Sequence, residues 1–110
     1  MAVVSNLIVD QGTDFAVSIV YKNDDGTLKD LTGYQVRSQM RRSYYSTSNT
    51  AFTAGFVDAV LGEIELSLSA NTTNSLKPGR YVYDVEVVDT NSKVTRIVEG
   101  LVTVLPGVTR

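Results

Sequence analysis

The sequence predicts an all-β fold, an antiparallel β-sandwich of about seven to eight strands, with residues 1–110 forming a single domain. Three observations carry this expectation. Hydrophobic residues alternate with polar ones in several separate segments, which is the two-residue period of a half-buried strand. Clusters of Asn, Asp, Gly, Ser and Pro punctuate those segments at short intervals. No segment carries an apolar stripe longer than two helical turns. The length of 110 residues suits one domain, and a hydrophobic content of 43% is enough to build a core.

The elements follow in order. A first strand is expected near Val3–Val9. From Phe15 the alternation is clean, with Phe15, Val17, Ile19 and Tyr21 on one face and Ala16, Ser18 and Val20 on the other. Asn23-Asp24-Asp25-Gly26 is a turn cluster. Tyr34, Val36, Ser38 and Met40 then face inward, while Gln35, Arg37, Gln39 and Arg41 face outward. Residues 43–51 read as an exposed loop, followed by a short strand around Ala51–Phe56. Ile64, Leu66 and Leu68 form the inward row of the next strand, opposite Glu63, Glu65 and Ser67. Ser69 is placed to cap a single helical turn, which Lys77-Pro78-Gly79 ends. Tyr81, Tyr83, Val85 and Val87 form another inward row. Asp89-Thr90-Asn91-Ser92 is a hairpin turn into a last strand running from Lys93 to about Val104, with Gly100 as its expected bulge. Tyr81 occupies the place of a tyrosine corner, in which the hydroxyl ties to nearby backbone.

Composition narrows the function. The chain has no cysteine, histidine or tryptophan. A Ser-His-Asp triad, a cysteine nucleophile, a thiolate or imidazole zinc site and an iron–sulfur cluster are therefore excluded. A net charge of -2 does not favour nucleic acid as a partner. No apolar run approaches the roughly 20 residues of a membrane-spanning helix, and the first residues lack the positive stretch of a signal peptide. The expectation is a domain that binds or builds, with no catalytic residues, no cofactor and no metal.

Candidate chemistry can be weighed residue by residue. Asp24-Asp25 and Asp89 with Asn91 make oxygen-rich turns, but neither has the ligand spacing of a calcium loop, and solvated turns are the better reading. Glu63 with Glu65, and Asp84 with Glu86, lie two apart on one strand face. Paired carboxylates of this kind can serve acid–base or glycosidic chemistry, yet the strand period alone predicts charges on an outer face. Arg37, Arg41 and Arg42 can meet those acids on a neighbouring strand or meet an acidic partner. With Tyr44 and Tyr45 they form the most distinctive cluster of the chain, combining the two residue types in which interfaces concentrate their energy.

Asp30-Leu31-Thr32-Gly33-Tyr34, running into Gln35-Val36-Arg37-Ser38-Gln39-Met40-Arg41, is a distinctive motif. Leu76-Lys77-Pro78-Gly79-Arg80-Tyr81-Val82-Tyr83-Asp84-Val85-Glu86-Val87 is a second, and Val94-Thr95-Arg96 followed by Gly100-Leu101-Val102-Thr103-Val104 a third. Together they resemble small immunoglobulin-like proteins and domains of tailed bacteriophages, including the N-terminal domain of upper baseplate proteins and related decoration and tail modules. Met40 stands where that group more often has isoleucine. The resemblance implies an immunoglobulin-like sandwich acting as a non-enzymatic structural component of the virion. Such a component docks in many copies on a symmetric capsid, neck, tail or baseplate, with other virion proteins as partners and neither nucleic acid nor membrane. Arg37, Arg41, Arg42, Tyr44 and Tyr45 are the expected partner contact. The alternative is a carbohydrate- or receptor-binding adhesion module. The absence of tryptophan and the inward alternation of most tyrosines count against it.

Overall fold

The alternating segments become strands packed as two sheets in a computed structural model that describes residues 2–109. In chain order the strands are β1 (Val3–Val4), β2 (Leu7–Asp10), β3 (Phe15–Val20), β4 (Gln35–Arg41), β5 (Thr50–Ala51), β6 (Thr53–Asp58) and β7 (Glu63–Leu68). A one-turn helix α1 (Ala70–Asn74) follows, then β8 (Gly79–Val88) and β9 (Val94–Leu105). The larger sheet has the order β1-β9-β8-β4-β5, with β2 also on β9, and the smaller sheet has the order β3-β7-β6. This is the layout of an all-β sandwich, two sheets packed face to face.

Nine strands appear among the described residues because two expected strands are divided. The N-terminal strand breaks at Ser5-Asn6. The strand around Ala51–Phe56 breaks at Phe52, whose N–H still bonds the Ser38 carbonyl at 3.0 Å. Before Phe52 the chain pairs with β4, and after it with β7. One extended segment thus changes sheets and closes that side of the sandwich.

The sandwich is mixed rather than purely antiparallel. β1 and β2 both pair with β9 in parallel, with Val3 opposite Val98 and Leu7 opposite Val102. The turn after β2 carries the chain to the other sheet instead of forming a hairpin. The edge of β9 is then the pairing site that β2 fills, and β9 runs in the same direction. Gly100 permits this crossing. It stays in register opposite Tyr83 and is not a bulge. A Cβ at this position would overlap the Ser5 carbonyl. The bulge lies instead opposite Val85/Glu86, where Ile97 is the extra residue and the consecutive Ile97 and Val98 are both buried.

The inward rows meet as expected for β7 and β8. Ile64, Leu66 and Val85 are fully buried, and Tyr81 and Tyr83 nearly so. Phe52 stands edge-on to Tyr83, with ring centroids 6.0 Å apart. Ile19 and Val36 are only half-buried. For Ile19 the reason is that β3 is an edge strand of the narrower sheet. The tyrosine corner is present, with the Tyr81 hydroxyl donating to the Lys77 carbonyl at 2.7 Å. Ser69 caps α1 by accepting from the Thr72 N–H at 3.3 Å. Buried Thr73 ties that helix to the β2–β3 turn, donating to the Thr13 carbonyl at 2.7 Å and accepting from the Gly12 N–H at 3.0 Å.

Two stability outcomes follow from this packing. Leu66→Ala removes a side chain with no solvent exposure, and chemical denaturation should show a loss of about 2–5 kcal/mol. Gly100→Ala forces the Ser5 carbonyl away from β9, and the same measurement should show a loss of about 1–3 kcal/mol, as for other overpacked sites. An unchanged midpoint for Gly100→Ala would mean that the N-terminal strand does not cross at Ser5.

Candidate functional site

The outer face of the larger sheet collects most of the candidate charges, because β4, β8 and β9 run side by side with matched register. Arg37 lies opposite Glu86, which lies opposite Arg96, while Gln39 lies opposite Asp84, which lies opposite Glu99. The result is a ladder of ion pairs. Arg37 Nε is 2.9 Å from Glu86 Oε1, Arg96 Nε is 3.2 Å from Asp84 Oδ2, and an Arg96 terminal nitrogen is 3.4 Å from Glu99 Oε2. Arg37 therefore meets an acid of the neighbouring strand. Each pair is partly exposed, so each adds about 1 kcal/mol or less.

Asp84 and Glu86 make a poor acid–base pair in this setting, since each faces a guanidinium. Burial holds the Asp84 carboxyl above the ordinary aspartate range, and the adjacent Glu86 charge adds to the effect against the pull of Arg96. The turn carboxylates are occupied by their own backbone. Asp25 accepts from the Thr27 hydroxyl at 2.6 Å and the Thr27 N–H at 3.0 Å, and Asp30 accepts from Thr32 in the same way at 2.6 and 2.9 Å. These bonds hold both carboxyls below the ordinary aspartate range. Asp89 accepts from the Asn91 and Lys93 N–H groups at 2.9 and 2.8 Å. Among the described residues, no group of three or more His, Cys, Asp or Glu side chains is placed to hold a metal ion.

The five expected contact residues divide into four settings. Arg37 belongs to the ladder. Arg41 and Tyr44 border a cleft of about 280 Å3 over the outer face, whose floor includes Asp84, Glu86, Arg96 and Glu99. Arg41 is anchored there, donating to the Ser46 carbonyl at 2.6 Å and to Gln39 Oε1 at 3.0 Å. Arg42 turns to the end of the sandwich, where its guanidinium carbon lies 4.7 Å from the centre of the Tyr81 ring. Its two terminal nitrogens donate to the Arg80 and Pro78 carbonyls at 3.2 and 3.3 Å. Tyr45 is 95% exposed in the β4–β5 loop. Lys77 is the neighbour that the sequence does not single out. Its position in the turn into β8 brings it beside Arg41 and Arg42, and the Lys77-Pro78-Gly79 turn signal was the one hint of it.

No family model matches the chain, and no curated protein matches it. Among solved structures, an internalin-like protein of Listeria monocytogenes is similar over 94% of this chain, with 17% sequence identity and a TM-score of 0.51. The chain spans 28% of that protein's chain. At this identity the likeness shows the fold alone.

The carboxyl environments set a pH signature. Asp84 binds its proton more tightly in the folded state, so its contribution to stability is fully present below the unfolded pKa. That contribution is lost as pH rises through the folded value. Asp25 and Asp30 act in the opposite sense, contributing above the unfolded pKa and losing that contribution as pH falls through their folded values. Carbon-detected NMR titration should place the Asp84 midpoint above the ordinary aspartate value and those of Asp25 and Asp30 below it. A midpoint for Asp84 below that of Asp25 would show that Arg96 outweighs burial.

Proposed function

We propose that this chain is a non-enzymatic structural component of a tailed-phage particle, docking in multiple copies on a symmetric part of the virion. The observation that carries the reading is that three phage-like motifs occur together in one sandwich, each at a point that shapes it. Asp30-Leu31-Thr32-Gly33-Tyr34 makes the turn into β4, closed by a 3.0 Å bond from the Tyr34 N–H to the Leu31 carbonyl. Leu76–Tyr81 makes the tyrosine corner at the start of β8. The Val94–Val104 motif forms β9, which receives the N-terminal strands. The exposed Tyr44 and Tyr45 and the anchored Arg41 and Arg42 supply the interface-prone residue types on one loop and its base.

An adhesion module that binds glycan would draw on the cleft beside Tyr44. On its floor Asp84 and Glu99 are already paired with Arg96, and Glu86 with Arg37, which leaves few free donors and acceptors to recognise sugar hydroxyls. Docking to other virion proteins is the better-supported reading.

Immunogold labelling tests it, using antibody to the purified domain and particles released from the strain that carries the gene. Label at a fixed position on the particles is the expected result. Absence of the chain from density-purified particles, checked by mass spectrometry, would overturn the proposal.

A further inference from the structure

A second groove, of about 190 Å3, opens at the end of the sandwich between the β4–β5 loop and the turn into β8. Its lining includes Arg41, Arg42 and Lys77 together with Ser46, Ser48 and Ser75, and no carboxylate. This sets it apart from the outer face, where arginine and acid alternate. The three ion pairs among the described residues use Arg37 and Arg96 and none of the groove cations.

Both groove arginines are held in place without being neutralised. Arg41 and Arg42 bond backbone carbonyls and an amide oxygen, which fix a guanidinium but contribute no formal charge. Arg42 is also stacked on Tyr81. Gly79 makes room for it, since a Cβ there would lie 2.5 Å from an Arg42 terminal nitrogen. A cation already ordered in this way loses little freedom when an anion arrives. Its remaining N–H donors suit a planar carboxylate or a phosphate, and the serine hydroxyls add neutral donors alongside.

We propose that this groove is a carboxylate-binding site, and that it takes an acidic, Asp/Glu-bearing segment of the protein on which the domain docks. The inference rests on the assembly reading above and names the chemistry of the partner. The shape of the site favours protein over nucleic acid. The one ring in the lining, Tyr81, already carries Arg42 on its face, so no platform is free for a base to stack. Arg37, paired with Glu86, has no part in the site, and Lys77 takes its place.

The test is an NMR titration of the 15N-labelled protein with N-acetylated hexaglutamate. Inorganic phosphate and a single-stranded oligothymidylate are titrated in parallel. Saturable shifts centred on Arg41, Arg42, Ser46, Ser75 and Lys77, weakening as salt is raised, are expected with hexaglutamate. Lys77 is exposed and forms no ion pair among the described residues, so Lys77→Glu should fold normally and bind about tenfold more weakly. Shifts that fail to saturate, unchanged affinity in Lys77→Glu, or tighter binding of phosphate or oligothymidylate would each overturn the proposal. The titration uses no particles, so its failure leaves the virion reading intact, and failed labelling leaves the groove intact.

Discussion

The inward row of β8 is the constraint on which the rest of the structure depends. Tyr81, Tyr83, Val85 and Val87 are all buried on the central strand of the larger sheet. Two of the four are phenols, and a buried hydroxyl without a partner is costly. Each finds a backbone carbonyl at 2.7 Å, Tyr81 at Lys77 and Tyr83 at Ser5. The first bond shapes the turn that brings Lys77 beside Arg42. The second holds the N-terminal segment against β9 just where Gly100 makes room for it. Burial lifts the Tyr83 phenol above its ordinary range, so the hydroxyl stays a neutral donor to the Ser5 carbonyl.

The two charged regions illustrate how register decides what a side chain is for. On the outer face, strand pairing puts Arg37 across from Glu86 and Arg96 within reach of Asp84 and Glu99, and the charges cancel locally. At the end of the sandwich the chain leaves the sheet, and no opposing strand supplies an acid. Arg41 and Arg42 turn to carbonyl oxygens there. The same residue type is thus structural in the middle of a strand and available at its end, a difference invisible to composition.

Much of the fold was legible because strand phase is a local property. The inward rows of β7 and β8, the Ser69 cap, the tyrosine corner and the Asp89 hairpin all follow from short-range pattern. What escaped depends on distant partners. The parallel pairing of β1 and β2 is set by where the β2–β3 turn sends the chain. The role of Gly100 is set by Ser5, far away in sequence. Thr73 looks like an ordinary helix residue, yet it is fully buried and bonded to the β2–β3 turn. The candidate site was legible as residue types and not as a patch. Arg41 and Arg42 share the end groove with Lys77, while Tyr44 borders the outer-face cleft and Tyr45 projects from the loop, a division that closeness in sequence does not reveal.

The parallel ladder between β2 and β9 also bears on how the domain folds. Asn6 accepts a hydrogen bond from Leu101, 95 positions later, and the Gln11 side chain does the same for Gly107, 96 positions later. Contacts of such separation close large loops at an entropic cost that must be met before the pairing returns any energy. The β-hairpin of β8 and β9, joined by a short turn, closes a far smaller loop. Chain topology therefore favours an order in which the β8–β9 hairpin forms early and the N-terminal strands join it late. Until they do, the β9 edge presents unpaired backbone groups to any extended chain nearby, and the interval before β2 arrives is when this domain is most open to strand exchange with its neighbours.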